Sequence, residues 1–110
     1  MAETFKNGVL NITNSEQDIY TCPGSTTAIV ISLRIANVDG SAEDNVTARF
    51  LDSDGSTDAS LATTVAVPAD SVLELAGESK IALEAGDKIK LTGGAASGDL
   101  EAFISVLEIT

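Results

Sequence analysis

The sequence contains no histidine and no tryptophan, and it has one cysteine. Without histidine the chain lacks the commonest general base and the commonest metal ligand, so Ser-His-Asp and Cys-His catalytic arrangements are excluded. One thiol is too few for a cysteine-based zinc site or for an internal disulfide. These absences argue against an enzyme, and we expect no cofactor.

Positive charge is also scarce, since 17 acidic residues against 6 basic ones give a formal net charge of −11. Nucleic-acid binders need lysine and arginine to replace phosphate counterions, so we expect no nucleic-acid partner. An anionic membrane surface is disfavoured as a partner for the same reason. An acidic surface instead favours solubility and suppresses non-specific association.

Long hydrophobic runs are missing. No segment approaches the roughly 20 apolar residues of a membrane span, and the densest one, residues 28–36, is interrupted by Ser32 and Arg34. The N-terminal letters MAETFKNG lack the basic start and apolar block of a secretory signal, so we expect folding in a cytoplasm. Cys22 then has two interpretations: a small buried residue, or the thiol of a disulfide between subunits, because a single cysteine pairs only between chains.

Strict alternation of apolar and polar residues is the main pattern that the sequence does contain, and it is typical of half-buried strands. In residues 27–37 it predicts one face made of Ile29, Ile31, Leu33 and Ile35, and an opposite face made of Val30, Ser32, Arg34 and Ala36. Val46, Ala48 and Phe50 repeat the alternation downstream. The closing segment, residues 100–110, is apolar on both faces, which is typical of a strand in mid-sheet or under another subunit.

Turn residues separate these segments at intervals of roughly 8–12 residues, the spacing of all-β sandwiches. We predict an all-β fold: a single antiparallel β-sandwich or jelly-roll-like domain of about 7–9 short strands. The length of 110 residues suits one domain. Residues 1–16 form an N-terminal arm or a first strand, and residues 17–110 form the sandwich. The glycine-rich residues 93–98 are expected to join the last two strands as a hairpin.

The loop DSDGSTD offers three carboxylates, those of Asp52, Asp54 and Asp58. Hard oxygen ligands of this kind suit Ca²⁺ or Mg²⁺. The EF-hand spacing fails, however, and Asp, Ser and Gly also make up ordinary tight turns. The loop is therefore interpreted as a turn, with a weak metal site as its alternative.

Three segments carry a resemblance to a known group of proteins: DIYTCPGSTTAIVISLRIANVDGS, VPADSVLEL and KIALEAGDKIKLTGGAASGDLEAFISVLEI. In this order they resemble small virion structural proteins of tailed bacteriophages, which often have a Tyr-Thr-x-Pro turn, a Val-Pro-x-x-Ser segment and a Leu-Glu-Ala-Gly-Asp turn. The resemblance covers residues 18–110. Cys22 departs from it, since an aliphatic or another small residue is expected at that position.

The resemblance implies a homo-oligomeric capsid decoration (cement) protein on the virion exterior, bound to the major capsid protein or to other virion subunits as a trimer or another cyclic oligomer. The alternatives are a neck, tail or fibre subunit and an exterior glycan-binding module. The glycan alternative is weakened by the single tyrosine and the missing tryptophan, since such modules stack sugars on these rings. The predicted interface residues are Phe5, Val9, Leu10, Ile12, Phe103, Ile104, Val106 and Leu107.

Overall fold

The computed structural model describes residues 2–54, 57–76, 80–95 and 99–110. In these ranges the chain forms nine strands and no helix, and therefore no helix capable of crossing a membrane. The strands are β1 (Glu3–Ile12), β2 (Gln17–Thr21), β3 (Thr27–Asn37), β4 (Asp44–Leu51), β5 (Asp58–Val67), β6 (Val72–Glu74), β7 (Ile81–Leu83), β8 (Lys88–Gly93) and β9 (Leu100–Ile109). The predicted all-β antiparallel fold is confirmed.

Two antiparallel sheets form the sandwich. Sheet A has the order β1-β9-β3-β6, with β7 paired to another part of β3, and sheet B has the order β2-β8-β4-β5. The first strand, β1, pairs with β9 at ten consecutive positions from Glu3 opposite Ile109 to Ile12 opposite Leu100. Residues 3–12, which belong to the segment expected to form an N-terminal arm or a first strand, thus make an edge strand of sheet A.

The core lies between the sheets and consists mainly of aliphatic side chains. Strand β9 contributes every second residue to it, because alternate side chains of a strand point to opposite faces. Those core residues of β9 are Leu100, Ala102, Ile104 and Val106, each no more than 1% exposed. Strand β9 has strands on both sides, so the predicted mid-sheet position of the doubly apolar segment is the one observed.

A bulge interrupts β3 and changes which of its residues face the core. Val30 lies opposite Val106, and Ser32 lies opposite Ser105, the adjacent residue of β9, so Ile31 is an extra residue in the ladder. An extra residue reverses the facing of all positions on one side of it.

The predicted facing of the N-terminal half of β3 is therefore wrong. Val30 is fully buried, whereas Ile29 and Ile31 are only partly buried. Beyond the bulge, Leu33 and Ile35 face the core and Arg34 faces outward, as the alternation predicts. Simple period-2 reading fails because it assumes that each residue of a strand has one partner.

The turn EAGD carries the chain from one sheet to the other, since β7 pairs in sheet A and β8 pairs in sheet B. Gly86 has φ +87°, and a Cβ atom there would lie 2.8 Å from the Cβ atom of Ser53, so a larger residue is disfavoured twice. The buried carboxylate of Asp87 accepts hydrogen bonds from the backbone N–H groups of Ser53 (3.0 Å) and Glu84 (2.7 Å). These contacts hold the crossing.

The expected final hairpin is also wrong. Strand β8 pairs with β2 and β4, whereas β9 pairs with β1 and β3, so the connection through residues 93–98 crosses between the sheets. Residues 96–98 lie outside the described residues. Composition identifies a glycine-rich connection, but it does not show which sheet receives the following strand.

The bulge generates a stability prediction. Leu33→Ala should lower the free energy of unfolding by about 2–5 kcal/mol, because it leaves a cavity in the core. Ile31→Ala should cost less than about 1.5 kcal/mol, because the bulge keeps Ile31 partly exposed. Urea unfolding measures both; equal losses would contradict the assigned bulge, since strict alternation places the two residues on the same face.

Candidate functional site

The outward surface of sheet A carries apolar side chains in rows on either side of an uncharged polar row. Strands β1, β9 and β3 place six apolar side chains there, which together we call the outer face: Phe5, Val9, Ile29, Ile31, Phe103 and Leu107. The register aligns Phe5, Leu107 and Ile29 in one row across the three strands. Val9 and Phe103 form a second row, which continues to Arg34.

Several of these side chains are unusually accessible for their size. Phe5 is 75% exposed, Val9 is 74% exposed and Phe103 is 40% exposed. Two open depressions adjoin them, one bordered by Phe5 and Ile31 and the other by Val9 and Phe103. Clustered apolar exposure of this kind is typical of a surface that binds another protein, whereas single exposed residues are ordinary.

The predicted interface residues divide evenly between the two sides of sheet A. Phe5, Val9, Phe103 and Leu107 belong to the outer face. Ile12, Ile104 and Val106 are no more than 1% exposed, and Leu10 packs against the core. Ile12, Ile104 and Val106 are therefore core residues and Leu10 points toward the core, which corrects the prediction for these four.

Charge is displaced to the margins of the outer face. Its central row consists of Asn7, Ser105 and Ser32, which are polar and uncharged. Arg34 forms an ion pair with Glu74 at 3.4 Å near one margin. Low charge at the centre of a patch and charge around it is the usual composition of a protein–protein interface.

A second feature, which the sequence analysis missed, lies on the opposite side of sheet A. Glu108 continues the inward series of β9 and is 6% exposed. The Tyr20 hydroxyl donates a hydrogen bond to its Oε2 atom at 2.5 Å, and the Lys6 ammonium lies 3.2 Å from its Oε1 atom. The sequence does contain a sign of this cluster: Glu108 is the one acid in the otherwise apolar inward series of β9. A carboxylate buried at such a position needs hydrogen-bond or charge partners.

The cluster of Lys6, Tyr20 and Glu108 joins β1, β2 and β9, and so both sheets. The hydrogen bond from Tyr20 and the proximity of Lys6 lower the pKa of Glu108, against an opposing effect of burial. Burial raises the pKa of Tyr20, and its hydrogen bond to the negatively charged Glu108 raises it further. The cluster is a structural clamp between the sheets.

Cys22 follows β2 and is 1% exposed. Its Sγ atom lies 3.3 Å from the carbonyl oxygen of Thr26, and burial together with the nearby charges of Glu108 and Asp87 raises the pKa of the thiol. Of the two interpretations in the sequence analysis, a small buried residue describes this position. A disulfide between subunits would require the segment around Cys22 to leave the core.

The three carboxylates of the DSDGSTD loop do not converge. Asp52 and Asp54 accept hydrogen bonds from the backbone N–H groups of Ser53 and Thr57, respectively, and Asp58 pairs with Arg49. Among the residues that the structure describes, no three His, Cys, Asp or Glu side chains are arranged to hold a metal ion. The described part of the loop has the hydrogen bonds of a turn; Gly55 and Ser56 lie outside it.

The clamp yields a prediction for pH dependence. Tyr20→Phe should lower the free energy of unfolding by about 1–3 kcal/mol at neutral pH, because it leaves a buried carboxylate short of a donor. The raised pKa of Tyr20 stabilises the fold below about pH 10 and ceases to do so as pH rises beyond it. The lowered pKa of Glu108 stabilises the fold above about pH 4.3, and this contribution disappears as pH falls further.

Spectrophotometric titration checks this directly, because Tyr20 is the sole tyrosine of the chain. The native phenol should ionise well above pH 10, and Glu108→Gln should bring its pKa down by removing the neighbouring charge. A phenol that titrates near 10 in the native protein would contradict the clamp.

Burial also predicts how Cys22 reacts. A thiol with little exposure and a raised pKa forms little thiolate, so a disulfide-exchange reagent should modify it slowly in the native protein and rapidly after unfolding. The measurement is the rate at which the reagent releases its own thiol, with and without denaturant. Non-reducing electrophoresis is the control, because it detects any covalent dimer. A covalent dimer in the native, air-oxidised protein would contradict the buried position.

Comparisons with known proteins find likeness in structure only. No protein-family model and no curated protein matches the sequence. A solved Bacillus endospore appendage, described as one of a family of disulfide-linked pili, has a TM-score of 0.54 at 15% identity, over 99% of this chain and 87% of that one. A protein of infectious bursal disease virus, strain Gx, has a TM-score of 0.54 at 8% identity; this chain spans 30% of it. The TM-scores indicate a shared β-sandwich fold, and at identities this low the likeness extends to the fold alone.

Proposed function

We propose that the protein is a structural subunit of a virion or of a comparable repeating assembly, and that it acts by binding other subunits rather than by catalysis. The observation that carries this proposal is the outer face, whose Phe5, Val9 and Phe103 are exposed beside a fully formed core. Burial of such a surface against a neighbour is favourable by about 25 cal/mol per Å² of apolar area. The two structural neighbours, from a pilus and from a virus, support the same class of role.

Within this class, we favour a capsid decoration or cement protein of a tailed bacteriophage, located on the capsid exterior. The support is the resemblance of residues 18–110 to small phage virion proteins. Such a protein stabilises a capsid by burying apolar area across the junctions between capsomers, and a standard interface buries roughly 1,600 Å². The acidic surplus of the chain would keep finished particles from binding free DNA.

A filament subunit is the second candidate, because the likeness to the Bacillus appendage extends over nearly the whole of both chains. Neck, tail and fibre subunits would also bind their neighbours by burying apolar area, but in assemblies of a different symmetry. The exposed rings of Phe5 and Phe103 favour a glycan-binding surface, although phenylalanine lacks the polar group with which tyrosine or tryptophan also bonds a sugar.

The first test is the mass of the purified chain by light scattering after size exclusion, at two concentrations. A decoration protein should form a closed oligomer such as a trimer or hexamer and should bind empty capsids, whereas a filament subunit should give open, concentration-dependent polymers. A strict monomer that binds neither capsids nor itself would contradict the proposal.

A variant pair locates the binding surface. Phe103→Ser should weaken self-association or capsid binding at least about tenfold, because it removes a large apolar side chain from the outer face. Val38→Ser is the matched control, since Val38 is 54% exposed but lies beyond the end of β3, in the segment before β4. Equal effects of the two substitutions would remove the outer face from the proposal.

A further inference from the structure

Strand β1 is the long, regular open edge of sheet A. It has ten residues and pairs with β9 without a register shift, while no strand formed by the described residues borders its other side. The other edge strands of the described chain differ: β2, β6 and β7 have five residues or fewer, and β5 has two register shifts in its pairing with β4. A long regular edge presents a row of backbone N–H and C=O groups that is able to pair with another strand.

The sequence of β1 is complementary to itself about Asn7. If two copies pair in antiparallel orientation around a twofold axis at Asn7, Phe5 of one copy lies opposite Val9 of the other. An aromatic side chain opposite a β-branched one is among the favourable cross-strand pairs. On the inward face of the strand, Lys6 lies opposite Gly8, which has no side chain to displace it from Glu108.

Neighbouring registers lack this complementarity. The axis must coincide with a residue, because paired side chains of an antiparallel sheet point to the same face. An axis at Lys6 brings two ammonium groups opposite each other and faces Phe5 with Asn7. An axis at Gly8 faces Phe5 with Asn11 and Val9 with Asn7. The register centred on Asn7 is the one of the three that joins apolar residue to apolar residue.

Exposure supports a second copy as the occupant of this edge. Phe5 and Val9 are the two most exposed large apolar side chains among the described residues, and both belong to β1. In the Asn7 register Phe5 of each copy packs against Val9 of the other copy. The twofold axis therefore generates two such contacts. Glu3 faces Asn11 of the other copy, so no carboxylate lies directly opposite a carboxylate.

We propose that β1 pairs with β1 of a second copy in the antiparallel register centred on Asn7, which joins two A sheets into one. This inference rests on the proposed function, and it specifies that the subunit bound at the β1 edge is a second copy of the same chain. The assembly then contains an even number of subunits, so a hexamer built from dimers fits and an isolated trimer does not. Because each copy has a net charge of −11, pairing should strengthen as salt screens their repulsion.

Single-cysteine cross-linking tests the register. The variant N7C should form a covalent dimer by itself under mild oxidation. F5C and V9C should each remain uncoupled alone and should cross-link when mixed, because only directly opposite positions satisfy the Cα separation of about 4.4–6.8 Å that a disulfide needs. Two copies of V9C would have their Cα atoms more than about 13 Å apart.

The controls are the unchanged protein, whose Cys22 is buried, and V72C on strand β6 of the same sheet; neither should cross-link. Expected rates for N7C, and for the mixture of F5C with V9C, exceed those of the single F5C and V9C variants at least about tenfold. Far-UV circular dichroism verifies that each variant folds.

The outcomes separate this inference from the function on which it rests. Coupling of F5C or V9C with itself would overturn the register. Assembly by light scattering without any coupling at β1 would overturn the inference and leave the proposed function standing. A chain that stays monomeric under all conditions and binds no capsid would overturn both.

Discussion

The structure depends on β9 being apolar on both faces while hydrogen-bonded along both edges. Its inward residues supply the middle of the core, and its neighbours β1 and β3 are each aligned by its ladder. A strand fixed in this way cannot turn to hide its other face, so Phe103 and Leu107 must point outward from the sandwich. The outer face is thus a by-product of where β9 sits, and it is available for binding without any loss to the core.

Electrostatics follow from the shortage of basic residues. At least five of the six lysine and arginine side chains form ion pairs within the domain, including Arg49 with Glu16 and Lys90 with Asp18. Exposed pairs of this kind contribute little to stability, typically less than about 1 kcal/mol each. Their larger effect is that each paired cation is offset by a neighbouring carboxylate, so the excess of acidic residues sets the net charge of the chain.

Much of this fold is readable from the sequence, and the failures have identifiable causes. Alternation locates β4 correctly, with Val46 and Ala48 buried, and the turn around Gly86 is evident from its composition. The bulge at Ile31 is invisible to alternation, because β3 is apolar enough on both sides to satisfy either facing. Assignment of β8 and β9 to different sheets depends on long-range pairing, which no local pattern encodes.

The candidate site was half predictable for the same reason. A strand that is apolar on both faces indicates that one face packs in the core and that the other is suited to be covered by another subunit. Only the register shows that this second face carries Phe103 and Leu107 rather than Ile104 and Val106. The clamp at Glu108 needed three strands from distant parts of the chain to come together. The proximity of Lys6, Tyr20 and Glu108 is a property of the fold. The sequence alone already shows that Glu108 falls in the same alternating series as Ile104 and Val106.

Strand β5 carries a consequence for the geometry of growth. Its bulges, together with Thr64 at φ 49°, distort the long edge of sheet B at which another strand would have to be added. In the described chain β1 is the one long regular edge, whereas β2, β6 and β7 are short and β5 is distorted. The proposed contact between two β1 edges closes on itself and would leave no long regular edge from which a sheet could grow. With β1 paired in this way, fibrillar aggregation by edge addition would be suppressed, and a larger lattice would extend through faces and loops, in directions other than that of the sheet hydrogen bonds.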